Sequence, residues 1–339
     1  MKDPQNLSML FMQDSQDTSE FQELQEFHPK KFSDYLGQKE LKEKLALYTQ
    51  AALMRKEPLD HMLLFGPPGL GKTTLAQIMA HIMSVSIKIC NGPMLERTGD
   101  IVALLSSLEP KDILFIDEIH RMRICVEEVL YNAMEHFNID IIIGQGAGAK
   151  SVNLPISQFT LIGATTKVGM ISAPLRSRFG IIERLDFYLD SDLQEIILQN
   201  ASFFKINLDS QAALKIAKAS RATPRIAKKI LKRVRDFAQV KNIKNIDEET
   251  VEQALNFLSI DKYGLTHLDH EILRVIIQSF NGGPVGLETI AAIVGEDKDT
   301  IEDVYEPYLM RCGYIERTPR GRQINYKKLK ELEKHNKYI

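Results

Sequence analysis

The fold class this sequence predicts is α/β: a parallel sheet with helices on both faces, then a smaller all-α unit, then a unit of three helices and a basic hairpin. Three observations carry that expectation. Between 61 and 187, short apolar runs alternate with helical periods, the pattern of a parallel sheet covered on both sides. His61-Met62-Leu63-Leu64-Phe65 runs directly into Gly66-Pro67-Pro68-Gly69-Leu70-Gly71-Lys72-Thr73-Thr74, and an amphipathic period follows. From about 190 to 258 the pattern is helical throughout, and beyond Asp261 helices give way to short alternating arms around a Pro/Gly turn.

Residues 1–24 are rich in Gln, Ser and Met, and Lys2 is their one base against Asp3, Asp14, Asp17, Glu20 and Glu23. They show no period and read as a disordered acidic tail. Pro29 and the turn at Tyr35-Leu36-Gly37-Gln38 lead into a helix at 39–55. Strands are expected at Val85–Ile89, Ile113–Ile116, Phe159–Gly163 and Ile181–Phe187, with helices at 99–108, 124–137 and 172–177. Ile139–Leu154 interrupts the alternation as a hairpin with a Gly-rich tip, either a protein-binding arm or a purely structural one. Asp190, Ser210 and Asp247 mark helix starts in the next unit. Helices then fit 267–280, 286–294 and 298–312, and Tyr314–Tyr326 reads as a hairpin, the order of a winged helix-turn-helix. The expected division is a tail at 1–24, a large domain at 25–188 with its hairpin at 139–154, a small helical domain at 189–259, and a winged-helix domain at 260–339.

At 44% hydrophobic and 26% charged, the composition is that of an ordinary globular chain. No apolar run reaches membrane-spanning length and no secretory leader opens the chain, so a cytoplasmic protein with no membrane contact is expected. Cys90, Cys125 and Cys312 are too scattered for a disulfide frame or a zinc site. The net charge of −2 conceals a basic stretch from Lys215 to Lys244, where Asp236 is the one acid, and a second at the C-terminus. Each is either a solvated helix face or a phosphate-contacting surface.

Gly66–Thr74 fits the phosphate-binding loop G-x-x-x-x-G-K-[ST] without mismatch. Its glycines let several backbone N–H groups converge on one anion, and the following helix adds its dipole. Lys72 is expected to reach the β- and γ-phosphates of ATP, and Thr73 to bind Mg²⁺. At the end of the 113–116 strand, Asp117 is expected to hold Mg²⁺ through water, and Glu118 to polarise the attacking water. Two adjacent carboxylates there are costly unless used. Thr165 and Thr166 can present a hydroxyl to the γ-phosphate, and Arg176 or Arg178 can neutralise charge on the transferred phosphoryl group. His120, just after the acidic pair, reads as a supporting or capping residue rather than a metal ligand.

With these residues assembled, the chain resembles the RuvB family of Holliday-junction branch-migration ATPases, within the AAA+ superfamily. The likeness runs from about Phe27 to Lys330. It is densest at Asp60–Thr74, Asp112–Arg121, Asp140–Gly146, Leu161–Thr166, Pro174–Ile181, Thr223-Pro224-Arg225, Arg233–Ala238, Gly282–Leu287, Glu306–Leu309 and Arg317-Thr318-Pro319-Arg320-Gly321-Arg322. The resemblance implies roles that spacing does not supply. Thr166 would be sensor 1, Arg178 an arginine finger acting on the neighbouring subunit's ATP, and Arg225, after Pro224, sensor 2. Phe27, His28, Gly69, Leu70, Gly71, Lys72, Thr73, Thr74, Glu135, His136, Phe137 and Tyr188 would contact nucleotide. Arg317, Arg320 and Arg322 would contact DNA, and the 139–154 hairpin would dock RuvA. The chain departs from the family at His28, where Arg is usual, and at Ala222, where Gly is common.

The function implied is an ATP hydrolase working as a homo-hexameric ring. It would translocate double-stranded DNA without sequence preference and drive branch migration in recombination and repair, with RuvA and with RuvC as a further partner. Two other readings stand beside it: another AAA+ machine such as a clamp loader or replication initiator, and a nucleotide-switched DNA-binding scaffold.

Overall fold

The computed structural model describes residues 27–143 and 150–328. The acidic tail at 1–24, the hairpin tip at 144–149 and the last basic residues from 329 onward lie outside the described residues, as do the side chains of 141–143, 150 and 151.

In chain order the large unit comprises α1 (Lys39–Arg55), β1 (Met62–Phe65), α2 (Lys72–Met83), β2 (Ile87–Asn91), α3 (Thr98–Ser106), β3 (Ile113–Asp117), α4 (Ile124–His136), β4 (Asn138–Ile143), β5 (Lys150–Pro155), β6 (Thr160–Thr165), α5 (Ala173–Ser177) and β7 (Ile181–Arg184). Its five-stranded sheet has the order β2-β3-β6-β1-β7, with every pair parallel. Alternate side chains of the central strands β1, β3 and β6 enter different cores, as the period of two requires. Met62, Leu64, Phe115, Ile162 and Ala164 pack on one face, while Leu63, Leu114, Ile116 and Leu161 pack on the other. Burial on both faces is why these strands read as unbroken apolar runs. The β4–β5 ribbon is antiparallel and separate from the main sheet, so the interruption in the pattern is a hairpin.

The helical unit follows as α6 (Asp190–Phe203), β8 (Asn207–Leu208), α7 (Ser210–Lys218), α8 (Pro224–Val240), β9 (Asn245–Ile246) and α9 (Glu248–Phe257). Asp209 and Asp247 cap α7 and α9 by accepting backbone N–H bonds. On α8 the buried positions Ala227, Ile230, Leu231, Val234 and Ala238 recur at helical spacing, with bases on the opposite side. The parallel pair β8–β9 is two residues long and was not expected; so short a strand leaves no period to read. Elsewhere the bounds move little, β2 starting two residues later than expected.

The third unit holds α10 (His267–Arg274), α11 (Leu287–Val294), α12 (Glu306–Arg311), β10 (Ile315–Thr318) and β11 (Gly321–Ile324). Wider π-turns continue α10 through Val275–Ser279 and precede α12 at Ile301–Tyr305. Leu273, Ile276, Leu287, Ile290, Leu309 and Ile315 form its own core, three helices closed by an antiparallel wing. It is tied to the helical unit by Arg221, whose guanidinium pairs with the fully buried Asp269 at 2.9 Å and lies over the rings of Tyr305 and Tyr308. Among the described residues no helix is long and apolar enough to cross a membrane.

Candidate functional site

Strand order places the site. Because β6 lies between β1 and β3, the carboxyl ends of these three strands bring together the loop after β1, Asp117 and Glu118 after β3, and Thr165-Thr166 after β6. Ligands of open parallel sheets settle at such ends.

The loop depends on glycine at two close approaches. A Cβ on Gly66, at φ +143°, would collide with the Leu185 carbonyl. One on Gly69, at φ +78°, would lie 2.8 Å from the Cβ of Arg225, so the helical unit closes onto the loop itself. The Arg225 N–H donates to the Gly69 carbonyl at 3.3 Å. Tyr35 and Tyr188 brace the loop from behind: both hydroxyls reach the Leu70 carbonyl, at 3.0 and 3.2 Å, and they bond each other at 2.8 Å. Burial raises both phenol pKa values, so these groups stay neutral donors.

Lys72 is buried, and its ammonium donates to the Gly66 and Pro67 carbonyls at 2.8 and 3.0 Å. Burial lowers its pKa, opposed by Asp117 and Glu118. Burial followed by Asp117 raises the Glu118 carboxyl, opposed by Lys72. Lys72 and Glu118 thus each feel the other's charge, and that of Asp117, at the mouth of the loop. The cleft measures about 380 Å³ and its lining includes Phe27, Gly69–Thr74, Asp117, Glu118, Thr166, Tyr188, Pro224 and Arg225.

Not every residue expected at nucleotide reaches this cleft. His28 is exposed and does not line it. Glu135, His136, Phe137 and Arg178 form a second group at the end of α4 and the end of α5. Arg178 Nε approaches Glu135 Oε1 at 3.2 Å, an NH donates to the Pro174 carbonyl at 2.8 Å, and the guanidinium lies 4.6 Å from the Tyr131 ring centre. Beneath it, the Ser172 hydroxyl donates to the buried Glu127 carboxylate at 2.6 Å. Phe137 packs instead against His61 and Phe159. Arg176 is exposed. One set of residues thus lines the chain's own cleft, and the other lies away from it.

Sequence reasoning missed Tyr35, Asn200 and Lys228, which also line the cleft. Tyr35 sits in a segment legible only as a turn, and its meeting with Tyr188 spans 153 residues. Lys228 belonged to a basic run with no marker to single it out.

Family profiles cover nearly all of the described chain. That of the Holliday junction DNA helicase RuvB P-loop domain matches residues 27–185, that of the RuvB AAA lid domain 188–261, and that of the RuvB C-terminal winged helix domain 262–333. The chain belongs to the RuvB family of branch-migration ATPases. It is 52% identical over 309 residues to the Holliday junction branch migration complex subunit RuvB of Clostridium kluyveri, covering 91% of this chain and 88% of the relative. The RuvB Holliday junction branch migration motor of Thermotoga maritima superposes with a TM-score of 0.82 at 48% identity, over 90% of this chain and 98% of that one. A point mutant of the same protein gives 0.84 at 48% identity, over 91% and 99%. As a RuvB-family P-loop ATPase, the chain binds nucleotide, and its expected fold class and family are borne out.

At the wing, the structure separates the three candidate arginines. Arg317 pairs with Glu302 at 2.7 Å and Glu306 at 3.0 Å, and Arg322 reaches Glu306 at 2.9 Å. Glu306 is buried, and this Arg-Glu-Arg cluster fixes the wing on α12. Arg320, at the exposed turn between β10 and β11, has no ion-pair partner among the described residues. The basic stretch 215–244 does not form one free face either. Lys215 pairs with Glu248 and Glu252, Arg221 with Asp269, and Arg233 and Arg235 with Asp236.

Proposed function

We propose that this RuvB-family chain works as one subunit of a homo-hexameric ring that encircles double-stranded DNA and moves it at Holliday junctions. The observation that carries the proposal is the division of the site into two groups. The cleft holds the loop, the acids and Thr166, while Arg178 lies away from it beside Glu135. A finger remote from its own nucleotide serves a neighbour's, which makes assembly part of the chemistry.

In this reading Lys72 and the loop amides bind the phosphates of ATP. Thr73 and Asp117 flank the place for Mg²⁺. Among the described residues no group of three or more His, Cys, Asp or Glu forms a protein cage for a metal, which suits an ion that keeps waters and takes phosphate oxygens. When bound, Mg²⁺ neutralises phosphate charge. Glu118 accepts a proton from water as the water oxygen bonds the γ-phosphorus and the bond to the β–γ bridging oxygen breaks, giving ADP and phosphate. Thr166 orients the γ-phosphate, and Arg225 links nucleotide to the angle between the large and helical units. Phe27, Tyr188 and Pro224 bound the base end, with Glu135 and His136 facing the neighbouring nucleotide. The β4–β5 ribbon, standing off the main sheet, is the docking arm for RuvA, and RuvC acts on the same junction. A cytoplasmic site of action fits these partners.

The motor assignment is tested by Lys72→Ala. Branch migration of a synthetic four-way junction with RuvA present is expected to stop, because the ammonium that holds the β- and γ-phosphates is gone. Migration at the normal rate would overturn it.

DNA contact is proposed for the wing. Arg320→Ala is expected to weaken duplex binding about equally for all sequences and to reduce the slope of log affinity against log salt by about 1. Anisotropy titrations across a salt series measure it. Arg322→Ala is expected to lower the melting temperature instead, since it removes a partner of buried Glu306. An unchanged salt slope for Arg320→Ala would remove that arginine from the interface.

A further inference from the structure

A chain of contacts leads from Glu118 to the third unit. The His120 side chain is 4% exposed, and its Nε2 faces Glu118 Oε2 at 3.4 Å. Its Nδ1 lies 2.9 Å from the hydroxyl of Thr165, which is fully buried at the end of β6. The Thr165 oxygen in turn accepts the Lys167 backbone N–H at 2.9 Å. The Lys167 ammonium then pairs with Asp303 of the C-terminal unit at 2.9 Å.

The donor and acceptor inventory gives this chain a direction. Thr165 is fully buried and its one hydroxyl proton has His120 Nδ1 as its acceptor among these contacts, so the proton goes to that nitrogen. The ring proton then sits on Nε2, which approaches Glu118 Oε2 at 3.4 Å as an attraction of dipole and charge rather than an aligned hydrogen bond. A neutral ring gives the Thr165 proton its acceptor, and burial, with Lys167 and Arg121 nearby, holds the imidazole pKa down; Asp303 and Asp117 oppose this. Glu118 has a left-handed backbone, φ +49°, so its side chain leaves the strand at an angle that its neighbours must hold.

The far end of the chain lies at a domain junction. Asp303 is in the π-turn before α12, beside Glu302, which receives Arg317. Thr166, Lys167, Pro67 and Pro68 from the large unit line a cavity of about 690 Å³ together with Glu302, Asp303, Glu306 and Arg317 from the third. The Lys167 and Asp303 side chains are 30% and 39% exposed, so their pair biases the seating of the two units rather than locking it.

We propose that His120 is a positioning residue for Glu118, and that it is tied through Thr165 and Lys167 to Asp303, so that the rate of hydrolysis depends on how the winged unit sits. The proposal rests on Glu118 being the general base, and the test separates the two. A displaced base has a low turnover number while nucleotide binding, made by the loop, persists.

The experiment measures steady-state ATPase with and without duplex DNA, and the Kd of a fluorescent ATP analogue, for the full chain and for E118Q, H120A, H120Q, D303N and H120A/D303N. H120A is expected to lose roughly 10- to 100-fold in kcat, with KM and Kd within about twofold of the parent. H120Q, whose amide reaches the Nε2 position, is expected to recover part of that loss. D303N is expected to change the DNA-stimulated rate in the parent and to change nothing further in the H120A background, the signature of a shared route. An H120A chain with normal kcat, while E118Q is inactive, overturns the positioning role and leaves the base intact. An active E118Q removes the base instead. H120A and H120Q both losing nucleotide affinity together with kcat would show a folding defect and overturn the proposal. A D303N effect undiminished in H120A would overturn the link to the winged unit.

Discussion

Replacing Arg178 with alanine is expected to lower ATP hydrolysis by about 10³–10⁵-fold, the range that arginine fingers supply, while ATP still binds. The reason is geometric. Arg178 lies outside its own chain's cleft, so its loss leaves Lys72 and the loop untouched. Its present contacts also leave it available. The 3.2 Å approach to Glu135 is an attraction of charges in which Nε has no aligned acceptor. The bond to the Pro174 carbonyl and the position over Tyr131 set direction without consuming every donor. Mixing supplies the decisive measurement. Arg178→Ala subunits keep an intact cleft, and Lys72→Ala subunits keep an intact finger. A mixture is expected to regain ATPase activity that neither chain has alone, because some interfaces pair a good cleft with a good finger. Mixed rings that form without any recovery would show that the finger does not act in trans.

What the sequence revealed of this site followed from how local each signal is. Gly66–Thr74 is one continuous segment whose function fixes residue type at nearly every position, so it was legible to the residue. Asp117 and Glu118 were legible because two carboxylates at the end of a strand buried on both faces need a reason. Tyr35 was not, because its task is a hydroxyl bond to a loop carbonyl, and nothing near it in the chain records that partner. The wing shows the opposite error. Arg317, Arg320 and Arg322 look equivalent in the sequence, yet strand pairing sets Arg317 opposite Arg322 and turns both toward Glu306, leaving Arg320 at the tip. The basic run at 215–244 likewise suggested one surface, but Lys215 and Arg221 meet acids from distant segments, and Arg233 and Arg235 pair with Asp236. Ala222 illustrates a third kind of limit. Its φ of +56° explains why glycine suits the position, and no pattern of apolar residues encodes that angle.

Glu118→Gln is expected to reduce hydrolysis by about 10²–10⁴-fold, the contribution of a positioned general base, and to leave nucleotide affinity nearly unchanged. Gln fills the same space but cannot take the proton of the attacking water. Asp117, Lys72 and Thr73 all remain, and so does the tyrosine brace behind Leu70. Affinity should even rise slightly: burial first, and then Asp117, push the Glu118 pKa up, and removing its charge relieves repulsion at a site that must receive phosphates. Single-turnover hydrolysis, with the Kd of a fluorescent ATP analogue, separates the two quantities. The same variant distinguishes a motor from a nucleotide switch. In a switch, ATP binding alone produces the working state, so Glu118→Gln would retain all DNA-dependent behaviour. In a motor each step consumes one hydrolysis, so the variant should hold DNA tightly with ATP bound and yet fail to migrate a four-way junction. A Glu118→Gln chain that hydrolyses within about tenfold of the parent would place the base elsewhere. One that migrates junctions without hydrolysis would end the motor reading altogether.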